Sequence, residues 1–258
     1  MLSAILQYST IDLKFLDLNL RQLSKFSDEI IIPMCDSLFD GKLENYEKLQ
    51  ESFAIMAKYP KVNAFLFEWE GKKDNTAYYH NLSRALGTDA AKGDWLFFVD
   101  ADEISDDNII EWIPEAMKRD FTYWLTCYWY WREPIYRAKQ VEGCGLLIKK
   151  ERCNWQLDVR PERQQFHHST YNFVNGQYQS IVGFDGIPMM HHFSWYRTKE
   201  EMLLKVKNWA HSTETSHFSN TNGKNWEQLI EEEFSRPFNG QDFMHNYQYD
   251  IVENKFNI

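Results

Sequence analysis

Two hydrophobic patterns take turns along this chain: short continuous apolar runs, and apolar stripes that recur every three or four residues. Ser3-Ala4-Ile5-Leu6-Gln7-Tyr8 reads as a strand, and behind Ser9-Thr10 the residues Leu13, Leu16, Leu20 and Leu23 fall at helical spacing. Glu29 to Asp36 reads as a second strand, whose Pro33 points to a distorted or edge position. Lys42 to Tyr59 carries Leu43, Tyr46, Leu49, Phe53 and Met56 on one helical stripe stopped by Pro60. Val62 to Trp69 follows as a third strand, Thr76 to Leu86 as a helix, and Trp95 to Val99 as an uninterrupted apolar run. The order β-α-β-α-β-α-β predicts a mainly parallel sheet with right-handed crossovers, and a run apolar at every position suits a central strand buried on both faces.

The second half is less regular. Ser105-Asp106-Asp107 opens a helix through Ile109, Ile110, Ile113, Ala116 and Met117, which Pro114 should kink or divide. Phe121 to Trp131 is an aromatic strand, too short to span a bilayer. One face of it, around Trp129 and Trp131, either fills the core or opens onto a cleft where rings stack on a sugar or base. Gly143 to Ile148 is another strand and Gly183 to Pro188 a loop. His191-His192-Phe193-Ser194-Trp195 leads into a helix opened by the capping box Thr198-x-x-Glu201, with Met202, Leu203, Val206, Trp209 and Ala210 on its core stripe. Ser212 to Gly223 is loop-like, Trp226 to Phe234 is a short acidic helix, and the last residues form an aromatic tail docked on the domain or on a second subunit. The chain divides into an α/β domain over residues 1–195 and a C-terminal helical extension with its tail over 196–258.

A chain of 258 residues holds one sizeable core with an appendage. Its 10 Trp, 14 Tyr and 18 Phe exceed what packing requires, so some should line a cleft. The formal net charge of −10 argues against a general nucleic-acid coat or an anionic membrane surface, and an anionic substrate would need a local cation. Cys35, Cys127, Cys144 and Cys153 are widely spaced, without zinc-like spacing, and suit reduced thiols. With no signal peptide or integral membrane segment evident, the expected location is cytoplasmic.

The chemistry concentrates where the apolar run ends in two acids one residue apart, Asp100-Ala101-Asp102-Glu103. The carboxyl ends of strands in open α/β sheets are where ligands bind. Asp100 and Asp102 flank the small Ala101, so both can approach a hard divalent cation, for which a diphosphate is the natural guest. Alternatively Asp100 ends the strand while Asp102, Ser105 and Asp106 cap the next helix. Asp36, at the end of the second strand, is either a ligand or a turn residue. Asp158, Arg160, Glu162, Arg163, His167 and His168 crowd together, most simply as a surface ion-pair cluster.

Three motifs together resemble the GT-A type of nucleotide-sugar glycosyltransferase, in particular its large family 2 group. These are Asp36 closing the second strand; Tyr79-His80-Asn81-Leu82 followed by Gly87, Gly93-Asp94 and Asp100-Ala101-Asp102-Glu103; and the late His192-Phe193-Ser194-Trp195. The resemblance covers about residues 1–195 and departs from the family at His80, where Arg is common. It implies a Rossmann-like GT-A sheet flanked by helices, with Asp36, Asn81, Asp100, Ala101 and Asp102 holding the donor. It also implies Mn²⁺ or Mg²⁺ on Asp100 and Asp102, completed by His191 or His192, and an imidazole ligand favours Mn²⁺. Adjacent residues of an extended segment point to opposite sides, so one histidine faces the metal, and His192 is taken first. The family's Glu-Asp base motif is not evident, leaving Asp158, Glu162 and Asp185 as candidate bases. Glu162 is preferred because Arg160 and Arg163 would keep it ionised.

The expected activity is metal-dependent transfer of a hexosyl or pentosyl group, from a UDP-linked or similar donor, to a hydroxyl on a glycan. A hydroxylated DNA base is the second acceptor, as in phage-type enzymes, and would use Lys149, Lys150, Arg152, Arg160 and Arg163 on phosphates. A non-catalytic glycan-binding or assembly protein is the third reading, and a homo-oligomer through the tail is a further expectation. A nucleotidyltransferase would need a Gly-rich basic loop after the first strand, whereas Gln7-Tyr8-Ser9-Thr10 has neither Gly nor Lys.

Overall fold

The computed structural model describes residues 1–38, 41–68, 76–119, 121–153, 178–181, 183–208 and 224–258. In the first hundred residues β1 (Leu2–Gln7), α1 (Leu13–Leu23), β2 (Glu29–Cys35), α2 (Tyr46–Met56), β3 (Val62–Phe67), α3 (Thr76–Ala90) and β4 (Trp95–Asp100) alternate. Their strands pair in parallel in the order β3-β2-β1-β4. The pleat explains the unbroken apolar runs. On β1, Ala4 and Leu6 join Leu16, Leu20 and Leu23 of α1 in one core cluster, while Ile5 turns to a second cluster with Ala90 and Ala91. On β4, Trp95, Phe97 and Val99 face the first cluster and Leu96 and Phe98 the second. Pro33 lies inside the sheet and β3 is the edge strand, contrary to the sequence expectation. β1 pairs with β2 only as far as Ile31, so Pro33 withholds no donor from that ladder.

Beyond β4 come β5 (Glu103–Ser105), α4 (Ile109–Met117), β6 (Thr122–Trp131), β7 (Glu133–Lys149), β8 (Tyr178–Ile181), β9 (Met190–Trp195), α5 (Lys199–Lys207), α6 (Trp226–Phe234) and β10 (Tyr249–Ile251). β7 runs antiparallel to β4, and the order continues β7-β6-β9-β5. Only Ala101 and Asp102 separate β4 from β5, yet β5 pairs with β9 at the far end of that order. The sheet therefore curls until its β5 end comes back to β4 at the Asp-x-Asp turn.

Several local expectations change. Glu103 to Ser105 is a strand rather than a helix cap, because β9 offers an antiparallel partner that no sequence window contains. α4 starts only at Ile109 and runs undivided through Pro114 to Met117. The strand read at Gly143 to Ile148 extends back to Glu133, and His191 to Trp195 is itself a strand. The segment after residue 195 shares a core with the sheet: Trp129, Trp131 and Trp195 cluster with Met202, Val206, Trp226, Leu229 and Ile230. The tail docks on its own domain through β10 against β7. Among the described residues no helix is long and apolar enough to cross a membrane. The architecture is the Rossmann-like GT-A type, parallel from β3 to β4 and mixed in the curled half.

Candidate active site at the carboxyl edge of the sheet

β1 and β4 are neighbours, but from β1 the order runs outward through β2 and β3, and from β4 it runs the other way through β7. A crevice opens outside the carboxyl ends of strands at such a switch point. Gln7 and Asp100 are paired there. The turn that follows is pinned on several sides. Ala101 N donates to Gln7 O at 3.0 Å, and Asp100 N donates to Glu103 Oε2 at 2.9 Å. From α1, the buried Asn19 donates its side-chain amide to the carbonyls of Asp100 (3.2 Å), Ala101 (2.9 Å) and Glu103 (3.0 Å). Asp100 remains 28% exposed, and its Oδ1 accepts from Arg84 Nη2 of α3 at 3.0 Å, a guanidinium only 6% exposed. Asn81 is buried one turn earlier on α3, and Ser83 binds that helix to Pro33 O at 3.2 Å. Asp36, half-buried at the end of β2, accepts from Ser37 Oγ at 2.8 Å.

Asp102 is nearly closed off, at 4% exposure. Its Oδ2 accepts from Lys205 Nζ at 2.7 Å and Arg197 Nη2 at 3.2 Å, and its Oδ1 faces His192 Nε2 at 3.5 Å. Burial alone would raise this carboxyl, but the charge of Lys205, the hydrogen bond with His192 and the charge of Arg197 hold it well below the usual range. Burial alone would lower the His192 imidazole, but hydrogen bonds with Asp102 and Cys127 push it up to about 10. Arg197 is itself locked, bonding Asp12, Ile11 O (3.2 Å) and Ser194 O (2.9 Å). His191 points to the opposite side of β9, where its Nε2 meets Asp106 at 3.0 Å and its Nδ1 meets Tyr130 at 2.8 Å. The structure thus brings Asp102 and His192 together, sets Asp100 with Arg84 beside them, and leaves His191 in a different environment.

Asp102 Oδ1 and His192 Nε2 are close enough to share a divalent cation only if that cation displaces the proton the raised imidazole holds toward the carboxylate. Neighbouring ligands of one such ion stand roughly 3 Å apart, given bonds of about 2.0–2.3 Å. The remaining positions would go to water and phosphate, because among the described residues no three His, Cys, Asp or Glu side chains converge on a metal position.

The aromatic run is mostly core. Trp131 is fully buried against Trp195 (5.5 Å) and Phe243 (5.4 Å), so it lines no cleft. Trp129, 7% exposed, meets His192 edge-on at 4.8 Å. Of the candidate bases, Asp158 and Glu162 lie outside the described residues, as do Arg160 and Arg163. Asp185 sits on an exposed turn before β9 with φ 55°. Lys149, Lys150 and Arg152 lie at the other end of the sheet: Lys149 pairs with Trp95, where β4 begins, and Lys150 Nζ donates to Ala91 O at 2.6 Å. Sequence reasoning missed Asn19, Arg84, Arg197 and Lys205. Only Arg197 left a trace, as a charge two residues behind the His-x-Ser-Trp run.

No protein-family model and no curated protein matches the sequence. Several solved structures resemble the fold. S. aureus TarS 1–349 is 10% identical with a TM-score of 0.48, covering 80% of this chain and 64% of that one. The same segment in complex with UDP-GlcNAc gives 12% identity and 0.45, covering 80% and 65%. A Bacillus anthracis protein described as a glucose-1-phosphate thymidylyltransferase, in complex with a sucrose, gives 12% and 0.46, covering 71% and 88%. This chain spans less than two thirds of the TarS segment it matches.

Proposed function

We propose that the chain is a nucleotide-sugar glycosyltransferase, moving a hexosyl or pentosyl group from a UDP-linked or similar donor to a glycan hydroxyl. The observation that carries this reading is the half-open Asp100, held by the buried Arg84 at the switch point, with the Asp102–His192 pair beside it. Asp36, just past β2, and Asn81, on α3, are suited to the base and ribose, and Arg84 to the diphosphate. Mn²⁺, or Mg²⁺, would be held by Asp102 Oδ1 and His192 Nε2 beside Asp100, and when bound supplies Lewis-acid neutralisation of the leaving diphosphate. Lys205 and Arg197 keep Asp102 ionised and oriented from behind.

The acceptor chemistry favours a glycan over DNA. The basic residues a duplex would need begin at Lys149, opposite Trp95, whereas Asp100 ends the same six-residue strand, roughly 17 Å away. The test is a panel of nucleotide sugars given to the chain with Mn²⁺, scored by calorimetric binding and nucleoside diphosphate release. One donor is expected to bind and turn over. If neither UDP nor any nucleotide sugar binds, the transferase reading fails.

A further inference from the structure

β3 closes one end of the sheet, and among the described residues no strand pairs with it on the side away from β2. Which of its main-chain groups face that open side follows from the ladder. Ile30 N donates to Lys61 O at 2.9 Å and Asp36 N to Phe67 O at 3.0 Å, and the two strands run parallel in one unbroken register between these bonds. Main-chain groups alternate in direction along a strand. Lys61, Asn63, Phe65 and Phe67 therefore turn their C=O groups, and the last three their N–H groups, towards β2, while Val62, Ala64 and Leu66 turn theirs outward. Val62 N is already used on Tyr59 O at 3.0 Å. The outward row thus offers the N–H groups of Ala64, Leu66 and Glu68 and the carbonyls of Val62, Ala64 and Leu66.

Edges of this kind are ordinarily blunted by Lys, Pro or a bulge. Val62–Phe67 has no charged residue, no Pro and no Gly, and its pairing with β2 shows no shift. Exposed apolar side chains accompany it: Leu66 is 49% exposed, and on the adjoining α2 Tyr46 and Phe53, seven residues apart and so on one stripe, are 70% and 37% exposed. The row of outward groups fits its own copy. Set an identical strand antiparallel to it about a two-fold axis at Phe65. Ala64 N–H then meets the partner's Leu66 O, Leu66 N–H the partner's Ala64 O, and Glu68 N–H the partner's Val62 O. Each bond occurs twice, so every group in the row has a partner. The small Ala64 lies opposite Leu66, and Phe65 lies opposite its own copy on the other face. Lys61 and Glu68 flank the run with opposite signs, so antiparallel pairing sets the basic end of one strand beside the acidic end of the other. The axis stands perpendicular to the sheet, which brings both α2 helices to the same face. Such a contact uses up the edge of both copies and closes at two.

We propose that β3 pairs with β3 of a second copy of this chain, making one continuous sheet across a two-fold dimer. The assignment rests on the sheet alone and goes beyond the transferase reading, whose failure would leave it standing. It also moves the expected subunit contact away from the tail, which is docked on its own domain. The experiment is sedimentation equilibrium of the whole chain from roughly 1 to 200 μM, a range that brackets micromolar association. The wild type is expected to reach twice the chain mass within it. Ala64→Pro removes one outward N–H and none of the bonds to β2, so it is expected to stay folded by circular dichroism and to weaken the dimer at least ~10-fold. Leu66→Lys, which sets a charge against the partner's Ala64, is expected to do the same. Amide exchange gives the residue-level readout: Ala64, Leu66 and Glu68 should slow as concentration rises, while Val62, bonded within its own chain, should not. A wild type that stays monomeric to 200 μM, or a dimer whose formation leaves those three amides unchanged, would overturn the assignment. So would a dimer of undiminished affinity in folded Ala64→Pro. Should that variant not fold, an undiminished dimer in Leu66→Lys would have the same force.

Discussion

Asp102 shows how much one carboxylate can be asked to do. Replaced by Asn, it would leave Lys205 and the fully buried Arg197 beside a neutral amide. Removing one partner of a buried pair costs roughly 3–5 kcal/mol, so urea unfolding of Asp102→Asn should shift by about that much. The same variant should lose more than ~100-fold in turnover if, as proposed, Asp102 helps to hold the cation that neutralises the leaving group. Wild-type stability together with wild-type turnover would mean that Asp102 neither holds the fold nor serves the reaction. Asn19 acts through geometry alone. Its single amide serves three carbonyls of the Asp-x-Asp turn, and Asn19→Leu leaves them short of a donor at a cost of about 1–3 kcal/mol. Asp100 would then lose its fixed position, and UDP affinity measured by calorimetry should fall. Unchanged affinity would show that Glu103 and Gln7 hold the turn without it.

At the scale of elements, α5 matters because it delivers Lys205 to Asp102. Its first turn is fixed by the capping box, in which Thr198 Oγ1 accepts from Glu201 N (3.2 Å) and Glu201 Oε2 accepts from Thr198 N (2.9 Å). Lys14 of α1 reaches the same carboxylate at 2.8 Å. Thr198→Ala should cost about 1 kcal/mol in urea melts. Burial alone would raise the Glu201 carboxyl, but the hydrogen bonds from Lys14 and the Thr198 N–H hold it below its usual value. A group depressed in the folded state contributes stability that is complete above its unfolded pKa and is lost as pH falls through the folded one. The stability gap between wild type and Glu201→Gln should therefore be widest near neutrality and narrow below about pH 4. A gap that stays constant from neutrality into acid would mean that the charge of Glu201 contributes nothing.

At the scale of the whole molecule the net charge of −10 sets the problem that the site must solve. A bare diphosphate approaches an acidic protein against its field, and Arg84 alone offers limited relief. UDP is thus expected to bind only weakly in EDTA and at least ~10-fold more tightly with Mn²⁺, as calorimetry would show. Equal affinities would remove the metal from the proposal and leave the protein's own cations to meet the phosphates. Transfer to an oligosaccharide should change little between low and moderate salt, whereas binding of a duplex through several phosphates would weaken by orders of magnitude.

The parallel half of the fold is readable from the chain alone, because there the information is local. An apolar run buried on both faces, a stripe every three or four residues and a capping box each follow from neighbours in the chain. β1 through β4, α5 and α6 accordingly lie close to where the pattern puts them. The same locality made Asp100 and Asp102 visible, since an abrupt pair of acids after Val99 needs no partner to be noticed. Tertiary structure decided the rest, and long-range pairing is the reason. Whether Glu103 begins a helix or a strand depended on β9, nearly ninety residues later. Which histidine faces Asp102 followed from the register of that pairing, and Lys205 reached the same carboxylate across 103 residues. Tyr247 likewise returns from the tail to bond Glu142 of β7 across 105 residues, a contact that no local pattern announces.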